Sequence, residues 1–172
     1  MSSEPSPSNG SGLCATTNQT ANTFAVSNYA ANYLVFGEPS TGSTEGCSRI
    51  PQSFPDGTSN VIVYTERYAT CGSGGAVESS NTFGSLWADS NTIWRPTFCI
   101  NNYWQTPDGP GCQDRPDWLR DCDHTRAQSP HAGGINVCLG DASVRFVASG
   151  ITPQTWANAC DPRDGAPLGG DW

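Results

Sequence analysis

The stretch from Gly133 to Val147 decides the fold, and it reads Gly-Gly-Ile-Asn-Val-Cys-Leu-Gly-Asp-Ala-Ser-Val-Arg-Phe-Val. Apolar and polar residues alternate on both sides of Asp141, as they do in strands that bury one face. Glycine and aspartate in the middle are typical of a tight turn. The stretch therefore predicts a β-hairpin with one buried face.

A turn centred on Asp141 and Ala142 sets the register of this hairpin. The predicted pairs are Leu139 with Val144, Val137 with Phe146 and Ile135 with Ala148 on the buried face, and Cys138 with Arg145 on the other. With this register, the alternating apolar residues of both strands fall on the same face of the hairpin. Alanine suits the turn less well than glycine, since a positive φ at Ala142 costs about 1 kcal/mol.

Shorter signals surround the hairpin. After it, Thr152 and Pro153 predict the N-cap and first turn of a short helix. Before it, Val61–Tyr64 predicts a buried strand, preceded by a turn at Pro55–Thr58. The aromatic and β-branched residues of Phe24–Phe36 predict one or two further strands.

The remaining segments predict long loops within a single domain. Residues 69–85 are small and polar, and residues 86–119 predict long, ordered, irregular structure. Residues 1–12 are rich in Ser, Pro and Gly and predict a disordered linker, which leaves 13–172 as a single domain. The predicted fold class is α+β, rich in strands, with long loops.

Composition excludes several partners. The net charge is −8 and all eight basic residues are arginine, so the chain offers no basic face for nucleic acid and no polybasic patch for anionic lipid. No stretch is long and apolar enough for a membrane span or a signal peptide.

The eight cysteines are dispersed and contain no Cys-x-x-Cys pair, which disfavours a zinc ribbon or a thioredoxin-type motif. They are Cys14, Cys47, Cys71, Cys99, Cys112, Cys122, Cys138 and Cys160. An even, dispersed set in a loop-rich chain predicts disulfides and an oxidising compartment, and 105 complete pairings are open. Buried free thiols in a cytosolic protein are the alternative.

Two motifs resemble a large bacterial family of prepilin-type proteins of unknown function, some of which carry a solute-binding label. The first is His131, nine residues and then Asp141, although Ala142 stands where the family has glycine. The second is Asp56-Gly57-Thr58-Ser59-Asn60 followed by Glu66. The resemblance covers most of residues 27–172.

The resemblance implies a pilin-like antiparallel sheet and an N-terminal helix that this sequence lacks. That helix would be the only contact with a membrane. The implied partners are other pilin-like subunits or cell-surface components, as in pseudopilins of type II secretion-like systems. The implied location is extracellular, at the cell surface or in the periplasm.

His131 and Asp141 do not predict a shared site. The ten-residue separation spans about 30 Å if the strand is straight. Asp141 is therefore expected to bond its own turn, and His131 to fix the start of the strand by hydrogen bonding.

Acidic residues suggest calcium, which prefers oxygen ligands. The candidate ligands are Asp56, Glu66, Asp114 and Asp117, with Thr58 and Asn60 beside the first. Capping of the turn by Asp56, and solvated ion pairs around Asp114 and Asp117, explain the same pattern without a metal.

The tryptophans Trp87, Trp94, Trp104 and Trp118 suggest a platform on which sugar rings stack, although most large aromatic residues belong to a core. No nucleophile, nucleotide or metal-hydrolase motif is present. The sequence thus predicts a non-catalytic structural or adhesive surface domain. The alternative is a binding module for carbohydrate or another small solute, either with or without calcium, which a pocket lined by aromatic and acidic residues would favour.

Overall fold

The computed structural model describes residues 26–43, 45–75, 82–87, 96–99 and 111–172. The predicted linker at 1–12 and the residues Cys14, Trp94 and Trp104 lie outside these ranges. Within them, the elements in chain order are β1 Tyr29–Asn32, α1 Tyr33–Phe36, β2 Ile62–Glu66, β3 Thr70–Gly72, β4 Thr82–Gly84, β5 Thr97–Phe98, β6 Gln113–Asp114, β7 Gln128–Ser129, β8 Gly134–Leu139, β9 Val144–Ala148 and α2 Pro153–Cys160.

The main element is an open five-stranded sheet with the order β5-β1-β2-β8-β9. Its pairs are antiparallel except β1 with β5, which is parallel. Two small sheets, β3-β4 and β6-β7, lie outside it. The α+β, strand-rich class predicted from the sequence is confirmed.

The hairpin forms where the sequence predicts it, but its register differs by one residue. Cys138 pairs with Val144 and Ile135 pairs with Val147. The loop has three residues instead of two, because Leu139 N donates to Ser143 O and Ala142 adopts a φ of 67°. A turn followed by a left-handed residue is the usual three-residue hairpin loop.

This shift moves part of β9 to the other face of the sheet, because side chains alternate with a period of two. Val147 packs into the core. Val144 and Phe146, predicted to be buried, are 72% and 53% exposed. The prediction that Val144 and Phe146 lie on the buried face of the hairpin is therefore wrong.

Ala142→Gly is expected to raise the free energy of unfolding by about 0.5–1 kcal/mol, since glycine adopts the positive φ without steric cost. Chemical denaturation measures the change. Ala148→Gly is the control: this residue lies in β9, so the same substitution should destabilise the protein. An unchanged or lower stability of Ala142→Gly would contradict the prediction.

Local capping overrides strand propensity between Tyr29 and Phe36. Asn32 ends β1, and its Oδ1 accepts a hydrogen bond from Leu34 N at 2.9 Å, which starts the one-turn helix α1. Two other predictions also need correction. The predicted loop at 69–85 contains β3 and β4, and the irregular segment 86–119 contains β5 and β6.

The core lies between one face of the sheet and helix α2. Its members include Phe98, Ile62, Ile135, Val137, Leu139, Val147 and Trp156. As predicted, Thr152 caps α2 by accepting from Thr155 N, and Pro153 opens the helix. Asp171 in the C-terminal tail accepts hydrogen bonds from Thr155 Oγ1 and Thr152 N, which lower its pKa to about 2.

Candidate functional site

The face of the sheet opposite the core carries exposed apolar side chains. Tyr64, Cys138 and Val144 are direct neighbours across β2, β8 and β9. Tyr29 on β1 and Phe146 on β9 lie on the same face, two residues along from Ala31 and Val144 respectively. We call this surface, defined by Tyr29, Tyr64, Val144 and Phe146, the aromatic face.

An open groove of about 390 Å³ lies at the β1 end of the aromatic face. Four exposed aromatic residues line it: Tyr29, Phe36, Tyr64 and Trp87. Trp87 is 70% exposed, which is unusual for so large an apolar side chain. Solvated aromatic side chains grouped around a depression are characteristic of interaction sites.

The local sequence explains the shape of the groove. Ala31 lies opposite Tyr64 in the sheet, and its short side chain leaves a depression between Tyr29 and the neighbouring strand. Helix α1 brings Phe36 to the rim, where its ring centroid lies 5.3 Å from that of Tyr64 at an angle of 33°. Strand β5 closes the other side with Thr97.

The described lining of the groove is uncharged. None of the ten described residues that line it carries a charge, and its polar groups are Ser27, Thr97 and tyrosine hydroxyls. Burial and the nearby Glu38 carboxylate raise the pKa of Tyr33, so its hydroxyl keeps its proton. The groove therefore offers flat apolar rings with a few hydroxyl groups.

Glu66 and His131, from the two sequence motifs, meet in a second site. The Glu66 side chain is only 4% exposed. Its Oε1 lies 2.9 Å from His131 Nε2, and its two oxygens accept from the Asn136 side chain and backbone N, each at 3.0 Å. Ser129 Oγ accepts from His131 N at 3.0 Å. His131 thus makes a hydrogen bond at the start of the strand, with Glu66 as its partner, and its role in fixing that start stays a prediction.

Asp141 does not join this site. It accepts hydrogen bonds from the backbone N and the hydroxyl of Ser143 at 2.9 and 2.6 Å, and these lower its pKa. The predicted role of Asp141 within its own turn is confirmed.

The first calcium motif makes contacts within the protein, and the Asp56 carboxylate bonds the C-terminal tail instead of capping its own turn. Gly57 has a φ of 93°, and Asn60 Nδ2 donates to Asp56 O at 2.8 Å. The Asp56 carboxylate accepts from Gly165 N. Thr58 begins a short 3-10 helix, Thr58–Asn60.

The acidic residues after β5 are also bonded within the protein. Asp114 accepts from Gly133 N and Arg115 Nε, and Asp117 accepts from Leu119 N. Among the described residues, no group of three or more His, Cys, Asp or Glu side chains is arranged to hold a metal ion. The four calcium candidates thus do not form a metal-binding cluster there.

The two tryptophans within the described ranges have different roles. Trp118 packs against the buried cluster of Tyr68, Cys71 and Cys122, whereas Trp87 lines the groove. Sequence reasoning missed Tyr29, Phe36 and Tyr64. Their common signal is weak, because period-two alternation in β1 and β2 identifies a face only after the register is known.

Cys71 and Cys122 form a disulfide. In this structure the other five described cysteines are thiols, so the prediction that all are paired is confirmed for one bridge. These thiols are Cys47, Cys99, Cys112, Cys138 and Cys160.

His124 is a neutral, packed side chain. Its ring stacks on Phe83 with centroids 3.6 Å apart. Burial lowers its pKa to about 4, assisted by Arg67 and opposed by Asp123. His124 therefore stays uncharged at neutral pH, as its aromatic packing requires.

These features define a strand-rich α+β domain with an open aromatic groove on its sheet. The chain belongs to DUF1559, a family of proteins of unknown function, whose profile matches residues 4–154. Comparisons with curated proteins and with solved structures gave no match. No helix within the described residues has the length and apolar character needed to cross a membrane.

Proposed function

We propose that this domain is a non-catalytic adhesive module of a prepilin-like surface protein, and that its groove binds a neutral carbohydrate. The supporting observation is the uncharged groove lined by Tyr29, Phe36, Tyr64 and Trp87. Sugar rings present apolar C–H faces and a rim of hydroxyls. Aromatic rings bordered by a few polar groups complement both parts of such a ligand.

Charge argues against other ligand classes. An anionic ligand would need arginine or a helix N-terminus at the groove, and a cation would need carboxylates. The ten lining residues include neither arginine nor a carboxylate. The volume of about 390 Å³ lies within the range of small-molecule sites, roughly 300–1,000 Å³.

The proposed location is extracellular, at the cell surface or in the periplasm. A disulfide between Cys71 and Cys122 suits an oxidising compartment, and a lysine-free chain of net charge −8 suits neither nucleic acid nor anionic lipid.

A second candidate function is contact with other pilin-like subunits. Val144 and Phe146 extend the aromatic face beyond the groove to β9, which is the edge strand of the sheet. Exposed apolar side chains on an edge strand favour pairing with another chain. Analytical ultracentrifugation of the wild type and of Phe146→Ala tests this function separately.

A screen against neutral glycans, followed by calorimetry on the best ligand, tests the carbohydrate proposal. Trp87→Ala and Tyr64→Ala are each expected to weaken binding at least about tenfold, which corresponds to the loss of one stacked ring. Trp87 is mostly exposed, so its replacement should leave the melting temperature nearly unchanged.

Phe146→Ala is the matched control, because it removes an exposed aromatic ring from the same face but outside the groove. It should bind as the wild type does. Chelation of calcium should not change affinity, because none of the described residues that line the groove is a carboxylate. Absence of glycan binding, or equal losses in Phe146→Ala and Trp87→Ala, would refute the proposal.

A further inference from the structure

Two of the free cysteines are neighbours in the core. Cys160, at the end of α2, is 2% exposed, and Cys99, directly after β5, packs against the same hydrophobic cluster. After burial, the Cys99 side chain is the next cause that raises the pKa of the Cys160 thiol. The two thiols are therefore close neighbours within this cluster.

Independent contacts hold the two backbones together. Asn32 pairs with Phe98 in the sheet, and its Nδ2 donates to Cys160 O at 2.7 Å. The Phe98 ring also lies 6.5 Å from the ring of Trp156, one helical turn before Cys160. Asn32 and Trp156 thus fix the residue before Cys99 next to the end of α2.

We propose that Cys99 and Cys160 form a second disulfide when the protein matures in an oxidising compartment. The oxidant is a disulfide of another molecule, either a small disulfide or a dithiol oxidoreductase. The Cys99 thiolate attacks that disulfide and forms a mixed disulfide, releasing one thiol. Cys160 then attacks Cys99 Sγ and releases the second thiol.

The reaction is balanced. Cys99 and Cys160 together lose two protons and two electrons, and the oxidant's disulfide becomes two thiols. The order of attack follows from exposure. Cys99 is partly exposed and accessible to an external disulfide, whereas burial and the neighbouring Cys99 raise the pKa of Cys160, which disfavours Cys160 as the first thiolate to attack.

Cys112 lies in the same cluster but has different surroundings. Burial raises its pKa to about 11, and the charged groups that act on it are Arg126, Asp114 and Glu66. The groups that act on Cys160 are Cys99 and Asp161, whereas no other cysteine among the described residues acts on Cys112. The Cys99–Cys160 pair is therefore the one we assign.

The bridge would fasten one wall of the groove. Thr97 and Pro96 line the groove, and β5, to which Thr97 belongs, has only two residues and a single partner strand, β1. A bond from Cys99 to α2 would tie this short strand to the core. The inference on the disulfide does not depend on the identity of the groove's ligand.

Peptide mapping of the wild type under non-reducing conditions tests the proposal. Free thiols are first alkylated. Trypsin alone leaves Cys71, Cys99 and Cys112 in one peptide, residues 68–120, because Arg95 and Arg115 both precede a proline. Chymotrypsin, which cleaves after Tyr103 and Trp104, separates Cys99 from Cys112. The expected product is a linked pair of peptides containing Cys99 and Cys160.

The Cys71–Cys122 bridge serves as the internal control for oxidation. If that bridge is intact while Cys99 and Cys160 are alkylated, the proposal is wrong. A link from either residue to another cysteine would also overturn it. In oxidised protein, Cys99→Ser with Cys160→Ser should lower the melting temperature by about 5–10 °C, and Cys47→Ser, at an exposed thiol, should not.

Discussion

Asn32→Asp is expected to lower the free energy of unfolding by about 4 kcal/mol at neutral pH, a large loss for a change of so few atoms. Asn32 is fully buried. Its Nδ2 donates to both Ile62 O and Cys160 O at 2.7 Å, and its Oδ1 accepts from Leu34 N. Aspartate keeps the last contact but sets a charged oxygen against two carbonyl oxygens.

The pH dependence of this variant distinguishes lost hydrogen bonds from a general packing defect. Burial beside two carbonyl oxygens raises the pKa of the new carboxyl in the folded state above about 3.9, its value in the unfolded chain. The folded state therefore binds a proton that the unfolded state does not. The deficit relative to the wild type should shrink as pH falls from 7 towards 4.

Urea denaturation of the variant and the wild type at several pH values measures this deficit. Asn60→Asp is the control, because Asn60 is exposed and its side-chain amide donates to the single acceptor Asp56 O. It should cost less than about 1 kcal/mol, the value of one hydrogen bond at the surface. A deficit for Asn32→Asp that stays constant between pH 7 and pH 4 would argue against the electrostatic explanation.

Local signals in the sequence predicted local structure well. Thr152 and Pro153 identified the start of α2, because an N-cap and a first-turn proline act within four residues. Alternation located both strands of the hairpin. The predicted register was wrong because the hairpin loop has three residues and places Ala142 at a positive φ. Gly140 and Asp141 predict a turn, but they do not show whether its loop has two or three residues.

Contacts between distant segments could not be predicted in the same way. The groove depends on Tyr29 and Tyr64 sharing a face, which in turn depends on the pairing of β1 with β2. The short apolar run Val61–Tyr64 does not reveal which residues face the core. A register irregularity between Ile62 and Tyr64 leaves Ile62 buried and turns Tyr64 outward.

Glu66→Ala is the second large effect, with an expected loss of about 3 kcal/mol. The substitution removes the acceptor for the part-buried backbone N of Asn136, for its side-chain amide and for His131 Nε2. A donor that loses its partner away from water costs up to its full desolvation energy, and here three part-buried donors lose one partner. For a chain of this length the melting temperature should fall by about 6–12 °C.

His131→Ala should cost less, about 1 kcal/mol, because the His131 side chain is 45% exposed and water can replace part of its contact. The double variant completes a thermodynamic cycle, in which a coupling energy near 1 kcal/mol is expected for two residues in direct contact. Glu45→Ala, at an exposed glutamate, serves as the control and should leave stability nearly unchanged.

The thermodynamic cycle of Glu66→Ala and His131→Ala also tests whether the two sequence motifs have a structural or a functional role. Glu66 ends β2 and His131 precedes β8, the neighbouring strand, so their contact fixes where β8 begins against β2. If the motifs serve this structural purpose, both variants lose stability and still bind the groove's ligand once folded, because neither residue lines the groove. Additive losses with no coupling, or a loss of binding at unchanged stability, would instead make His131 and Glu66 part of a second functional site.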